Sequence, residues 1–404
     1  MTAPAVPARP SPASRIQSVD ALRGAVMILM AIDHIRDYVA RSAMQFSPTD
    51  LTRTTPAIFL TRWITHFCAP VFIFTAGMSA FFWMNRGHHS KRQLSRLLVT
   101  RGIWLIFLEL TVLRFIMFFQ IGWRGNLVIL LVIWAIGLCM IVLAALVHLP
   151  MRLLVVLSMA VIALHNLLDG IAAERFGRAA WLWDILHQQN LFSFRGANFA
   201  TGYPVLPWIG VMSAGFSMGA VFSWDSARRQ QFLKGLGVAL TVAFVALRVI
   251  NIYGDPVRWT HQTSTLFTAL FFLNTTKYPP SLDFLLMTLG PALVVLGWLD
   301  RFHFSFRNPL IVFGRVPFFY YGVHLLIAHL LAVGMNFARY GSTRFLLIPP
   351  PSMGSPGNLF PPDYGFPLWT VYVVWIVVLL LLYPACLWFV RLKQRRTDWW
   401  LSYL

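Results

Sequence analysis

The chain has 404 residues, of which 58% are hydrophobic and only 12% charged, and its formal net charge is +19. Soluble domains carry about a quarter charged residues, so this composition, with a mean hydropathy of +0.66, excludes a soluble globular protein and indicates an integral membrane protein. Many Lys and Arg residues fall in short loops between apolar runs, where membrane orientation accounts for them, so no nucleic acid is expected as a partner.

Residues 1–17 are rich in Pro and Ala and lack the apolar run of a signal peptide, which predicts a disordered cytoplasmic tail. Ten apolar segments follow, at about 19–40, 57–84, 98–119, 126–147, 152–170, 204–223, 234–252, 281–299, 316–336 and 368–390. Several are continuous runs of helix-spanning length, whereas a barrel would show short alternating segments. The predicted fold is all-α: a polytopic transmembrane bundle of about ten helices in one domain, 18–390, followed by a basic tail, 391–404. RGHHSKRQLSR (86–96) and RLKQRR (391–396) fall on the same side of such a bundle, which places both termini in the cytoplasm. Cys68, Cys139 and Cys386 lie inside apolar runs without paired spacing, as buried structural thiols would. The Pro-rich and aromatic stretch 341–367 predicts an ordered cap or a lid on the outer side.

The first span is the unusual one. SVDALRGAVMILMAIDHIRDY places Asp20 and Arg23 at its start and Asp33, His34, Arg36 and Asp37 near its end. Eleven helical steps separate Arg23 from His34, about 16 Å, or half of a hydrocarbon core about 30 Å thick. Charged groups in a span are costly and tend to line a cavity, so this helix is the leading candidate for a site. His34 and Asp37, three apart, share a helix face, and such a pairing would set the tautomer of a general base. The alternative reading is a polar cap at the outer interface.

The second span, LTRWITHFCAPVFIFTAGMSAFF, adds His66, either a hydrogen-bonded core residue or a second catalytic group; Pro70 would bend the helix, and Gly77 and Ser79 would allow close packing. His34 and His66 both fall in the outer halves of their helices and would face one cavity. Arg92, Arg96 and Arg101 step along the start of the third span, where they either report membrane orientation and lipid contact or form a clamp for the phosphates of coenzyme A. NTTKYPPSLDFLLMTLGP brings Lys277 and Tyr278 to the start of the eighth span, with breaks expected at its prolines, and GRVPFFYYGVHLLIAHLL puts Tyr321, His324 and His329 in the ninth. His324 and His329, five apart, do not share a face, and no metal is expected. No HExxH, Walker A or GxSxG pattern occurs.

Arg23, ten intervening residues and His34 match the R-x10-H pattern in the first membrane helix of the acyltransferase-3 family. The wider set SVDALRG, MAIDHIRDY, THFCAPVFIFTAG and GRVPFFYYGVH resembles bacterial membrane proteins related to the catalytic domain of heparan-alpha-glucosaminide N-acetyltransferase, over about 16–333. The resemblance implies a multi-pass enzyme of a bacterial-type inner membrane. Its donor would be acetyl-CoA or another acyl-CoA, and its acceptor a hydroxyl or amino group of an envelope carbohydrate. His34 would act as base or acyl carrier with Asp33, Asp37 and His66 beside it; Arg23, Arg92, Arg96 and Arg101 would hold the donor; Arg36, Lys277, Tyr278, Tyr321 and His324 would face the acceptor. Membrane lipid and a second copy of the chain are the expected partners. The segment 39–65, where the heparan-type pattern carries its histidine, holds none. The intramembrane Asp33, His34, Asp37 and His66 also fit a proton-coupled transporter, although no internal repeat is seen.

Overall fold

The computed structural model describes residues 16–119, 127–194, 196–348, 356–396, 398 and 401. The predicted tail thus lies outside the described residues except for Ile16 and Gln17. Sixteen α-helices are described: α1 (Gln17–Val39), α2 (Arg41–Gln45), α3 (Pro56–Ile64), α4 (Cys68–Arg86), α5 (Lys91–Leu108), α6 (Arg114–Phe118), α7 (Val132–Leu146), α8 (Met151–Leu164), α9 (Ala180–Leu186), α10 (Leu206–Met218), α11 (Ser226–Ile250), α12 (Thr265–Leu273), α13 (Leu282–Leu299), α14 (Pro309–Arg315), α15 (Pro317–Tyr340) and α16 (Leu368–Arg395). Each predicted span contains a helix, and among the described residues seven helical stretches are long and apolar enough to cross a membrane. The molecule is a helical membrane bundle.

Three departures matter. The predicted span 126–147 opens not as helix but as strand β1 (Leu127–Leu130), which pairs in parallel with β3 (Ala197–Thr201), itself antiparallel to β2 (Leu191–Phe194). Helix α13 runs through Pro291 without a break: Gly290 and Gly237 let α11 pack so closely there that a Cβ on either would strike the other helix. The last helix continues to Arg395, so the first five residues of the expected basic tail are helical.

Helix α1, the most charged of the spans, sits at the centre, packed against α4, α13, α14, α15 and α16. Sixteen of its 23 residues are buried. Its charged groups therefore meet protein and cavity rather than lipid, as their desolvation cost requires. The lipid-facing role falls to α8, α11 and α16, which leave Val156, Val242, Val249 and Leu380 exposed. All three cysteines are buried and free.

Pro70 explains the shape of the second span. It has no N–H to offer the carbonyl of His66 one turn earlier, and its ring crowds that carbonyl. The chain responds with a tight turn, Thr65–Phe67, between α3 and α4. The segment 341–367, as far as it is described, caps the end of α1: the Tyr364 hydroxyl donates to the Tyr38 carbonyl at 2.7 Å, and the Phe366 N–H donates to the Val39 carbonyl at 2.8 Å.

Candidate active site

Two cavities flank α1. The lower one, about 680 Å³, surrounds the start of the helix and is lined by Asp20, Arg23, Arg86, Arg101, Arg315 and Lys393 among apolar walls from α4, α5 and α7. The upper one, about 990 Å³, surrounds its end and is lined by Asp33, His34, Arg36, Asp37, Arg62, His66, Lys277 and Tyr278, with one wall from the small sheet. Val132 and Tyr321 belong to both linings. The two spaces are therefore separated by the start of α7 and one tyrosine ring on α15.

That partition is held from behind. Glu109, on a π-helical turn (Glu109–Leu113) that extends α5, accepts the N–H groups of Ile133 and Trp134 at 3.1 and 3.2 Å. A carboxylate at a helix N-terminus satisfies donors that have no partner within the helix. Glu109 thus fixes where Val132 stands.

His34 is not paired with Asp37, contrary to the helix-face expectation. Its Nδ1 lies 2.7 Å from Nε2 of His324, and Nδ1 of His324 lies 2.9 Å from the Tyr320 carbonyl. A carbonyl only accepts, so His324 donates from Nδ1 and, when neutral, accepts at Nε2. His34 then donates from Nδ1, which leaves the lone pair on its Nε2. This is the tautomer a general base needs. His324 is fully buried and lines neither cavity, so it orients His34 and does not touch an acceptor. The Tyr321 ring stands edge-on to His34, centroids 5.7 Å apart.

The carboxylates serve the arginines instead. Arg36 reaches Asp33 at 2.9 Å and Asp37 at 2.8 Å, and Arg62 bonds the other oxygen of Asp33. Arg36 is thereby committed to charge balance rather than free to grip an acceptor, although it lines the upper cavity. Removing the charge in Asp33→Asn would leave two guanidiniums short of a partner and should lower stability by an amount near the lower end of the ~3–5 kcal/mol for breaking a buried pair. A thermal melt in detergent reads it.

His66 does face the cavity that His34 faces, and its Nδ1 has no hydrogen-bond partner among the described residues. Lys277 and Tyr278 line the same space, the ammonium 5.2 Å from the Tyr278 ring centroid. Burial alone would raise the Tyr278 phenol, but the Lys277 ammonium and the Arg62 guanidinium outweigh it and hold the phenol below its ordinary value.

At the other end, Arg23 lines the lower cavity and ties α1 to α4, donating to the Thr75 carbonyl at 2.6 Å, to the Thr75 hydroxyl at 3.0 Å and to Ser79. The expected clamp is only partly assembled. Arg101 lines the cavity, whereas Arg92 and Arg96 are exposed and line neither space. On a helix, nine steps turn about 180°, so Arg92 and Arg101 point to opposite sides. Arg86, Arg315 and Lys393 take the missing places. Beside them Trp83 and His89 stack with centroids 3.8 Å apart, a flat aromatic wall. Sequence reasoning passed over Arg62, although it stands four residues before His66 and hence on the same helix face. For Arg315 and Lys393 no local pattern gave a signal.

A comparison with curated proteins found no match. The family model for the catalytic domain of heparan-alpha-glucosaminide N-acetyltransferase matches residues 15–253, which include Arg23, His34, Arg62, His66 and Arg101 and stop short of Tyr321 and His324. With more than half of its length matched, the chain belongs to the heparan-alpha-glucosaminide N-acetyltransferase catalytic family, and what it carries is a membrane acetyltransferase-type catalytic domain.

Proposed function

We propose that the protein takes an acetyl or other acyl group from acyl-CoA in the lower cavity and transfers it to a hydroxyl or amino group of an envelope carbohydrate in the upper one, with His34 as the base. The reading rests above all on one observation: the cation-lined and the histidine-lined cavities meet at Tyr321, which touches His34. With both termini in the cytoplasm the lower cavity opens where acyl-CoA is available. Guanidinium groups suit its phosphates, and the Trp83–His89 wall suits a stacked base.

In this scheme the acceptor gives its proton to Nε2 of His34 as its oxygen or nitrogen attacks the thioester carbonyl. The C–S bond then breaks, and the thiolate leaves with the proton that His34 returns. His324 stabilises the imidazolium by accepting from Nδ1 throughout. In the same scheme the Tyr321 hydroxyl donates to the oxyanion. Lys277 and Tyr278 hold the acceptor, and Asp33 and Asp37 keep Arg62 and Arg36 compensated.

The test uses purified protein with acetyl-CoA labelled in the acetyl group and a panel of amino sugars and sugar alcohols. Expected is labelled sugar that depends on His34, with no label retained on acid-quenched protein given donor alone. Label on His34 itself would mark it as acyl carrier. Absence of any turnover, together with gradient-driven flux in proteoliposomes without CoA, would replace the enzyme with a transporter.

A further inference from the structure

We infer that His165, Asp169 and His187 form a binding site for a divalent transition metal of the zinc type, which fastens the outer wall of the upper cavity to the bundle. His165 and Asp169 lie one turn apart where α8 ends, in LHNLLDG; His187 follows α9, eighteen residues beyond Asp169. One potential ligand atom from each lies within 4.8 Å of the others. Modest side-chain movement would gather them at the ~2.0–2.2 Å that zinc takes from nitrogen and oxygen.

The polar groups there are otherwise unexplained. His165 is 2% exposed, yet neither of its ring nitrogens has a hydrogen-bond partner among the described residues, and Nδ1 of His187, itself 3% exposed, has none. Leaving a buried polar atom unsatisfied carries its full desolvation penalty. A metal ion would satisfy such lone pairs. His187 already meets Asp169 through Nε2 and Oδ1 at 2.9 Å, and the other carboxylate oxygen accepts from the Asn166 amide at 2.8 Å. Asn166 in turn accepts the N–H of Leu282, at the start of α13, at 2.9 Å. A ligand carboxylate oriented by a second residue is what metal sites require.

Two imidazoles and one carboxylate select a borderline cation such as Zn²⁺ over Mg²⁺ or Ca²⁺, which favour all-oxygen sets. Asp169 keeps 23% of its side chain exposed, so a fourth position open to water is available. The consequence for the fold is local. Gln189 and Asn190, two and three residues after His187, line the upper cavity, and β2 and β3 follow them. A metal bridging α8 to His187 would hold that wall in place.

The experiment uses the full chain, with any affinity tag removed, in detergent. The protein is stripped with chelator, dialysed against Zn²⁺ and assayed for bound metal by mass spectrometry. About one equivalent per chain is expected, with a Tm several degrees above the stripped protein, and both effects should vanish in the triple variant His165→Ala/Asp169→Asn/His187→Ala. His303→Ala, at an exposed histidine, should retain them. Metal well below one equivalent, or equal binding by the triple variant, overturns the site. Should the variant fail to fold, Co²⁺ added to the wild type decides: an intense visible band from a four- or five-coordinate site supports it, and the weak spectrum of six-coordinate cobalt overturns it.

Discussion

Replacing His34 with glutamine should lower acyl transfer by about 10²–10⁴-fold, the usual contribution of a positioned general base, while acetyl-CoA still raises the Tm of the variant. The two readouts separate chemistry from donor binding, because any ligand of the native state raises its apparent stability. His324→Ala removes only the acceptor for Nδ1 of His34, at 2.7 Å in the native protein. It should reduce kcat by less than His34→Gln does and leave the KM for the donor near its native value. Equal kcat values for His34→Gln and the wild type would remove His34 from the reaction.

The second large effect lies at the other end of α1. Hydrogen bonds to charged groups contribute about 1.5–3 kcal/mol, and each ~1.4 kcal/mol is tenfold in affinity. Arg86→Ala and Arg101→Ala should therefore each raise the KM for acyl-CoA by about 10–100-fold with little change in kcat. Arg92→Ala/Arg96→Ala should change it far less, since both side chains point away from the cavity. The reverse ranking would return the clamp to the exposed face of α5.

This contrast shows where the sequence was readable. Apolar runs long enough to span a membrane identify themselves, and each of the ten contains a helix, although the run at 126–147 opens as a strand. The cluster at the end of α1 announced a site because charge inside a span needs a reason. The partners within that cluster did not follow from spacing. Asp37 shares a face with His34, but the contact that sets the imidazole comes from His324, 290 residues away. Likewise LVIL at 127–130 reads as the start of a span by hydropathy; its pairing with Ala197–Thr201 is a long-range event that no local period encodes. The Arg92, Arg96 and Arg101 series failed for a simpler reason. Residues one after another on a helix look like one patch in a string and are spread around a cylinder in space.

The wall shared by Val132 and Tyr321 has an energetic corollary for a living cell. If the acceptor surrenders its hydrogen on one side of that wall and the departing thiolate collects it on the other, the proton's inward passage is balanced by the acyl group's outward transfer, because thioester and thiol, acceptor and product are all uncharged at the reacting centre. A net displacement of one charge would have coupled the cycle to the field by up to about 2.3 kcal/mol per 100 mV; a complete turnover moves none. The extent of transfer at equilibrium in sealed vesicles should therefore be the same whichever polarity is imposed across the membrane.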